Sequence, residues 1–181
     1  MSEAFLSRMS TKFKVDARGA DVEVKKDAIT VKGKGGTLKA DIRYPFLSVK
    51  NNDGVLEISA KGDVAYQKAI AGTLAAEVRN IIKGVETPYV AELELVYMHF
   101  PSALKVAGNK VIVENFVGER KPREIDIMDG VDVKINGTKI TLSGIDKYKV
   151  GQMAANLESK VNIKNKDRRV FKDGIFITKK P

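Results

Sequence analysis

Gly72-Thr-Leu-Ala-Ala-Glu-Val78 and Gly151-Gln-Met-Ala-Ala-Asn-Leu157 share one pattern: Gly, polar, large apolar, Ala, Ala, polar, aliphatic. Upstream of each, Leu56-Glu-Ile-Ser-Ala60 lies over Ile140-Thr-Leu-Ser-Gly144, and both follow turn-like stretches, Asn51-Asn-Asp-Gly54 and Asn136-Gly137. Farther upstream, Val22-Glu-Val-Lys25 with Ile29-Thr-Val31 matches Leu104-Lys-Val-Ala107 with Val111-Ile-Val113. Three matches in the same order point to a tandem duplication. The offset is about 84 residues at the strand and about 79 at the helix, so one loop differs by roughly five residues.

Each copy has the same internal rhythm. Apolar residues recur two apart at Val22 and Val24, Ile29 and Val31, Leu38, Ala40 and Ile42, Leu47 and Val49, and Leu56 and Ile58. The second copy repeats this at Leu104 and Val106, Val111 and Val113, Ile125 and Ile127, Val131 and Val133, and Ile140 and Leu142. That spacing predicts half-buried strands joined by Gly, Asn and Asp turns. Then the period lengthens. Ile70, Leu74, Val78 and Ile82 form one helical stripe between about Asp63 and Lys83, with Asp63 placed to cap the start and Gly84 to end it. Val150, Met153, Ala154, Leu157 and Val161 form the matching stripe from about Asp146 to Asn162. A helix and a sheet each hide one apolar face, so they need each other, and the Ala75-Ala76 and Ala154-Ala155 pairs allow close approach. The expected fold is α+β: two tandem copies of a small domain, each an antiparallel β-sheet packed on one α-helix. The first spans 1–84 and the second 85–181, connected around Gly84 to Pro88.

Composition narrows the function. The chain has 181 residues, 43% hydrophobic and 30% charged, enough to build a core. There is no run of about 18 apolar residues, and MSEAFLSRMS lacks the basic start and apolar stretch of a signal peptide, so a cytoplasmic protein without a membrane partner is expected. Zero cysteines exclude disulfides, thiolate zinc and a cysteine nucleophile. The net charge of +9 favours a polyanionic partner, nucleic acid before membrane. Its placement is informative: residues 160–181 carry eight basic and two acidic groups, leaving the rest of the second copy slightly acidic.

Enzyme chemistry finds little footing. His99, the one histidine, sits in the apolar, strand-like Tyr97-Met-His-Phe-Pro101 with no nucleophile or carboxylate partner signalled, and reads as structural or surface. No cofactor and no metal are expected, because Asp126, Asp129 and Asp132 flank a Gly130 turn without calcium-loop spacing. Lys32-Gly-Lys-Gly-Gly36 lacks the Gly-Lys-Ser/Thr ending of a phosphate loop and opens no helix. It reads as a flexible hairpin tip whose Lys32 and Lys34, with Lys39, can at most brush a phosphate backbone.

Two basic elements remain. One is Gly118-Glu-Arg-Lys-Pro-Arg123, a short stiff loop carrying Arg120, Lys121 and Arg123. The other is Lys164-Asn-Lys-Asp-Arg-Arg-Val-Phe-Lys172, carrying Lys164, Lys166, Arg168, Arg169 and Lys172. Guanidinium forks grip phosphate oxygens in pairs, and lysines supply point charges. The bland alternative for Arg168 and Arg169 is a solvated turn beside Asp167 and Asp173. Phe171 can stack on a base, but core packing with Ile175 and Ile177 on one face of a final extended segment is the preferred reading.

These residues also carry a resemblance. Gly144-Ile-Asp-Lys-Tyr-Lys-Val-Gly-Gln-Met-Ala-Ala155, Lys166-Asp-Arg-Arg-Val-Phe-Lys-Asp-Gly-Ile-Phe-Ile177 and Asn109-Lys-Val-Ile-Val-Glu-Asn-Phe-Val-Gly-Glu-Arg-Lys-Pro-Arg123 closely resemble the family of the sixth protein of the large ribosomal subunit. His99-Phe-Pro101 and the Asp-Gly-Ile-Phe ending resemble its archaeal and eukaryotic branch, archaeal by the lack of extensions. The resemblance implies a non-enzymatic protein of two duplicated α+β domains, monomeric within the ribosome. It implies binding to large-subunit rRNA in its 3′ region, beside the sarcin–ricin loop and stalk base, where translation factors dock. Carried onto this chain, the rRNA contacts fall on the Arg120 to Arg123 loop and the Lys164 to Lys172 segment, while the first copy faces neighbouring large-subunit proteins or solvent. The alternative is a duplicated β-rich module binding a polyanion or protein outside the ribosome.

Overall fold

The two-residue alternation becomes strand and the four-residue stripe becomes helix in both copies. The computed structural model describes residues 12–25, 28–52, 54–62, 64–167 and 169–181. In order these form β1 (Lys12–Asp16), β2 (Asp21–Val24), β3 (Ala28–Gly33), β4 (Gly36–Asp41), β5 (Leu47–Asn52), β6 (Val55–Ala60) and α1 (Ala65–Glu86). The second copy follows as β7 (Tyr89–Val96), β8 (Ala103–Ala107), β9 (Lys110–Glu114), a short 3₁₀ turn (Phe116–Gly118) and β10 (Arg123–Asp126). It ends with β11 (Val131–Asn136), β12 (Lys139–Gly144), α2 (Lys147–Lys160) and β13 (Gly174–Lys179).

Each copy divides its strands between two antiparallel sheets. In the first copy β6 lies between β1 and β5, and β3 between β2 and β4. In the second, β12 lies between β11 and β7, and β9 between β10 and β8. The correspondence runs strand for strand, with β13 added on the free edge of β7. The chain forms two compact units that meet in sequence between Thr87 and Pro88.

The cores follow the stripes. Val15, Ile29, Val31, Leu56 and Ile58 close on Ala71, Leu74, Ala75, Val78, Ile82 and Val85 of α1. Leu93, Val111, Val113, Phe116, Ile140, Leu142 and Ile175 close on Val150, Met153, Ala154 and Leu157 of α2. Burying one large aliphatic side chain contributes roughly 1.5–3 kcal/mol, so the stripes dominate stability. The buried Ala75 and Ala154 let each helix lie near its sheets. Asp146 caps α2, its carboxylate accepting the N–H groups of Tyr148 (2.9 Å) and Lys149 (3.4 Å).

Three local expectations change. Gly84 does not end α1: it is buried inside the helix, which continues to Glu86 because Val85 also packs in the core. The stop comes from Pro88, which disfavours helical backbone at the residue before it, and Thr87 is extended at φ −131°, ψ 116°. The connection is therefore only Thr87–Pro88, while the proposed cap Asp63 lies outside the described residues. Val106 is exposed rather than half-buried, because β8 is an edge strand. The glycine run is the β3–β4 hairpin tip, and it is anchored rather than loose: Gly35 N–H donates to the Val85 carbonyl at 3.0 Å. A side-chain carbon at Gly33 would collide with Val85, which accounts for glycine there better than any phosphate role. Lys32 is paired with Glu23 across β2 and β3.

Among the described residues, no helix is long and apolar enough to cross a membrane. Nor does any group of three or more acidic or histidine side chains among them stand ready to hold a metal ion.

Candidate nucleic-acid interface

The basic loop of the second copy begins at an unusual turn. Asn115 and Val117 both adopt left-handed backbone, at φ 55° and φ 52°. For a β-branched residue this is a strained conformation that persists only where its surroundings enforce it. Here Phe116 between them is fully buried, and Asn115 Nδ2 donates to the Pro101 carbonyl at 2.9 Å. Gly118 follows at φ 77° and delivers the chain to Glu119.

From there the three cations part company. Arg120 and Lys121 are exposed, with no side-chain partner among the described residues. Arg123 is engaged on every side. Its Nε and Nη2 donate to the Glu119 carboxylate at 2.8 and 2.5 Å, and its Nη1 to the carbonyls of Lys160 (2.8 Å) and Asn162 (3.1 Å). The guanidinium also lies 4.4 Å above the centre of the Phe116 ring. Arg123 hydrogen bonding, opposed by partial burial and helped by its charge, holds the Glu119 carboxyl below the ordinary carboxylate range. Arg123 thus ties the loop to the exit of α2, where cations suit the helix dipole. With four of its five N–H groups occupied, it positions phosphate-binding neighbours rather than offering a free fork.

The exit of α2 leads directly into the second basic segment. Lys164, Lys166, Arg169 and Lys172 are exposed, and Arg168 lies outside the described residues. A turn organises them: the Asp167 carboxylate accepts Arg169 N–H at 2.9 Å, and its carbonyl accepts those of Val170 (3.1 Å) and Phe171 (2.9 Å). Among the described residues the cationic ends of Lys164, Arg169 and Lys172 have no partner, while Lys166 Nζ lies 5.6 Å from the Phe171 ring centre. Three strand lysines of the second copy are paired instead. Lys105 pairs with Glu114 (2.9 Å), Lys110 with Glu124 (2.8 Å) and Lys179 with Glu92 (3.7 Å). The two loops therefore hold the densest run of exposed cations in the second copy.

Phe171 does not join Ile175 in the core. It precedes β13 and stacks on His99 with ring centres 4.7 Å apart and planes at 20°. The intervening Asp173 and Gly174 turn the chain onto β7: a side-chain carbon at Gly174 would sit 3.0 Å from the Val161 carbonyl oxygen. His99 also acquires the carboxylate that its sequence neighbourhood did not signal. Asp173 Oδ2 lies 2.8 Å from His99 Nδ1, and Oδ1 accepts the N–H groups of Met98 (2.8 Å) and His99 (3.2 Å). Burial opposes ionisation of Asp173, but the Met98 N–H, the imidazole and the His99 N–H outweigh it and hold its carboxyl below the usual range. This arrangement is a clip between the loop after β7 and the start of β13. The loop itself was not singled out as interface from sequence; Pro101, which cannot continue a central strand, was the available signal.

Three relatives are similar over nearly the whole chain. One from Methanosarcina mazei is 40% identical over 162 residues, covering 90% of this chain and 92% of its own, and is named large ribosomal subunit protein uL6. Relatives of the same name from Methanocella arvoryzae and Methanothrix thermoacetophila are 39% and 37% identical, with 90% of this chain and 93% and 92% of theirs covered. The chain belongs to the ribosomal protein L6 family. The family model matches residues 100–174, the stretch that holds both basic loops and the Asp173 side of the clip. All three relatives are archaeal, in keeping with the branch that the His99-Phe-Pro101 stretch resembles. This family is one of structural ribosomal proteins, not enzymes.

Proposed function

We propose that the protein is a structural component of the large ribosomal subunit, working in the cytoplasm, whose second copy clamps large-subunit rRNA in its 3′ region. The observation that carries this reading is the Arg123 tie. Hydrogen bonds to Lys160 and Asn162 bring the loop of Arg120 and Lys121 to the root of the Lys164–Lys172 segment, so cations about 40 residues apart act as one surface. A-form RNA buries its base edges in a deep groove, so such a surface reads shape, phosphates and 2′-hydroxyls. The site we assign lies beside the sarcin–ricin loop and stalk base, with Arg120, Lys121, Lys164, Lys166, Arg168, Arg169 and Lys172 facing phosphates and Arg123 holding their loop. The first copy, divided from the second at the end of α1, faces neighbouring ribosomal proteins or solvent. One molecule occupies each subunit.

The test is affinity for a transcript of the 3′ region of large-subunit rRNA at several salt concentrations. With about five phosphate contacts, log K should fall by roughly 4 per log unit of salt. Lys121→Ala with Arg169→Ala should weaken binding about tenfold or more and flatten that slope by roughly 2. Equal loss from Lys34→Ala with Lys39→Ala in the first copy would place the binding face elsewhere.

A further inference from the structure

The loop from Tyr97 to Ser102 links the two basic segments physically. On one side Asp173 holds the Met98 and His99 backbone, and Phe171 stacks on the imidazole. On the other, Asn115 Nδ2 donates to the Pro101 carbonyl at 2.9 Å and Ser102 Oγ to the Asn115 carbonyl at 3.3 Å. The Phe100 ring also closes over Gly118, where a side-chain carbon would lie 3.4 Å from its Cζ. The loop backbone is thus pinned between the turn that leads to Arg120 and the segment that carries Lys166, Arg169 and Lys172.

Three of its large side chains are open to solvent. Tyr97 is 43% exposed, Met98 65% and Phe100 46%, and Val170 on the adjoining turn is 60% exposed. Large apolar side chains grouped on a rigid loop mark an interaction surface. The charges on both flanks decide which partner fits. An apolar protein face would have to bury beside cations with no carboxylate to meet them. A nucleobase brings a flat face for stacking and a phosphate on each side for the flanking cations. Lys166 already sits over the Phe171 ring, the pairing of cation and aromatic expected of such a surface.

We propose that the Tyr97–Phe100 loop is the third element of the interface, where Phe100 stacks on an unpaired rRNA base while the flanking cations hold that nucleotide's phosphates. This rests on the rRNA-binding reading and adds to it a contact that charge alone does not provide. Base–aromatic stacking is insensitive to salt because it releases no counterions. It therefore separates cleanly from the phosphate contacts.

The experiment uses the full-length protein and the same rRNA transcript, with Phe100→Leu, Phe100→Trp and the Lys121→Ala/Arg169→Ala pair. Phe100→Leu keeps apolar bulk over Gly118 but removes the aromatic face, and should weaken binding about tenfold with an unchanged salt slope. Phe100→Trp should bind at least as tightly as the parent. Chemical probing should show one unpaired base protected by the parent and freed with Phe100→Leu. If Phe100→Leu binds like the parent while the charge pair is weakened, stacking is wrong and the rRNA interface stands. If both variants bind like the parent, the rRNA reading fails and this proposal with it. If Phe100→Leu loses only association with a large-subunit protein, the loop's partner is protein and the proposal is overturned.

Discussion

The two copies share a strand order and differ at one edge. In the first, β1 has β6 on one side and no described strand on the other; in the second, its counterpart β7 has β12 on one side and β13 on the other. α1 runs straight into a two-residue connection, whereas α2 is followed by the 13 residues, 161–173, that carry a dense run of exposed cations. Duplication therefore produced two similar scaffolds, and the added strand gave one of them a charged segment fixed at both ends. One end is held by Arg123 on the Lys160 and Asn162 carbonyls, the other by Asp173 on Met98 and His99. The lesson is that charge acts as a site when its backbone is held; the first copy has lysines but no comparable pair of ties among its described residues.

Three tests can break or sharpen that contrast. The largest effect is expected from Ile175→Asp, which places a charge at a core position of β13. An unpaired buried charge should cost roughly 4 kcal/mol or more. Hydrogen exchange in the full chain should then show β7, β12 and α2 losing protection while β3, β6 and α1 keep theirs. Simultaneous loss in both copies would mean that they fold as one unit and that the added strand matters to more than its own copy.

Arg123→Ala should be milder. It strands the Glu119 carboxylate and two carbonyls, and hydrogen bonds to charged groups contribute about 1.5–3 kcal/mol each without simple additivity, so a loss of about 2 kcal/mol is expected. Since Arg123 positions rather than binds, the rRNA salt slope should be nearly unchanged while affinity falls. A slope flattened by a full phosphate contact would make Arg123 a direct ligand instead.

The smallest effect is acid dependence. The folded pKa of Asp173 is depressed, so its stabilisation is complete above the unfolded value of roughly 3.9 and is lost as pH falls through the folded value. As pH falls below about 4 the Met98 and His99 amides should lose protection relative to the exchange expected of the unfolded chain at the same pH. Asp173→Asn should be less stable at neutral pH and show a weaker acid response in the second copy. An acid response unaltered by that substitution would assign it to other carboxylates.

Much of the fold was readable because its signals are local. The alternating strands and the two helical stripes depend on residues within a few positions of one another, and β2, β3, β6 and α1 correspond in order to β8, β9, β12 and α2 as the aligned motifs require. Gly84 misled because glycine near a helix end normally signals a stop, yet burial of Val85 and the proximity of Pro88 moved the end onward. The basic loops were legible as charge, but their roles were not. Arg120, Lys121 and Arg123 look equivalent in sequence, and only the Lys160 and Asn162 carbonyls distinguish Arg123. Phe171 looks like a core residue because its spacing from Ile175 and Ile177 is even, but β13 begins only at Gly174, so strand alternation does not extend back to Phe171.

By itself the sequence determined the duplication, the secondary structure that each period imposes, and a surplus of positive charge near the carboxyl end. The tertiary structure alone decided which cations stay free, which one becomes a tie, and that Tyr97 to Phe100 stands between the two basic segments. The physical reason is separation along the chain: His99 and Asp173 are 74 residues apart, and Arg123 and Asn162 are 39 apart. Partnerships at that distance exist only once burial of Phe116 and Ile175 has set the strands in place, so no short pattern encodes them.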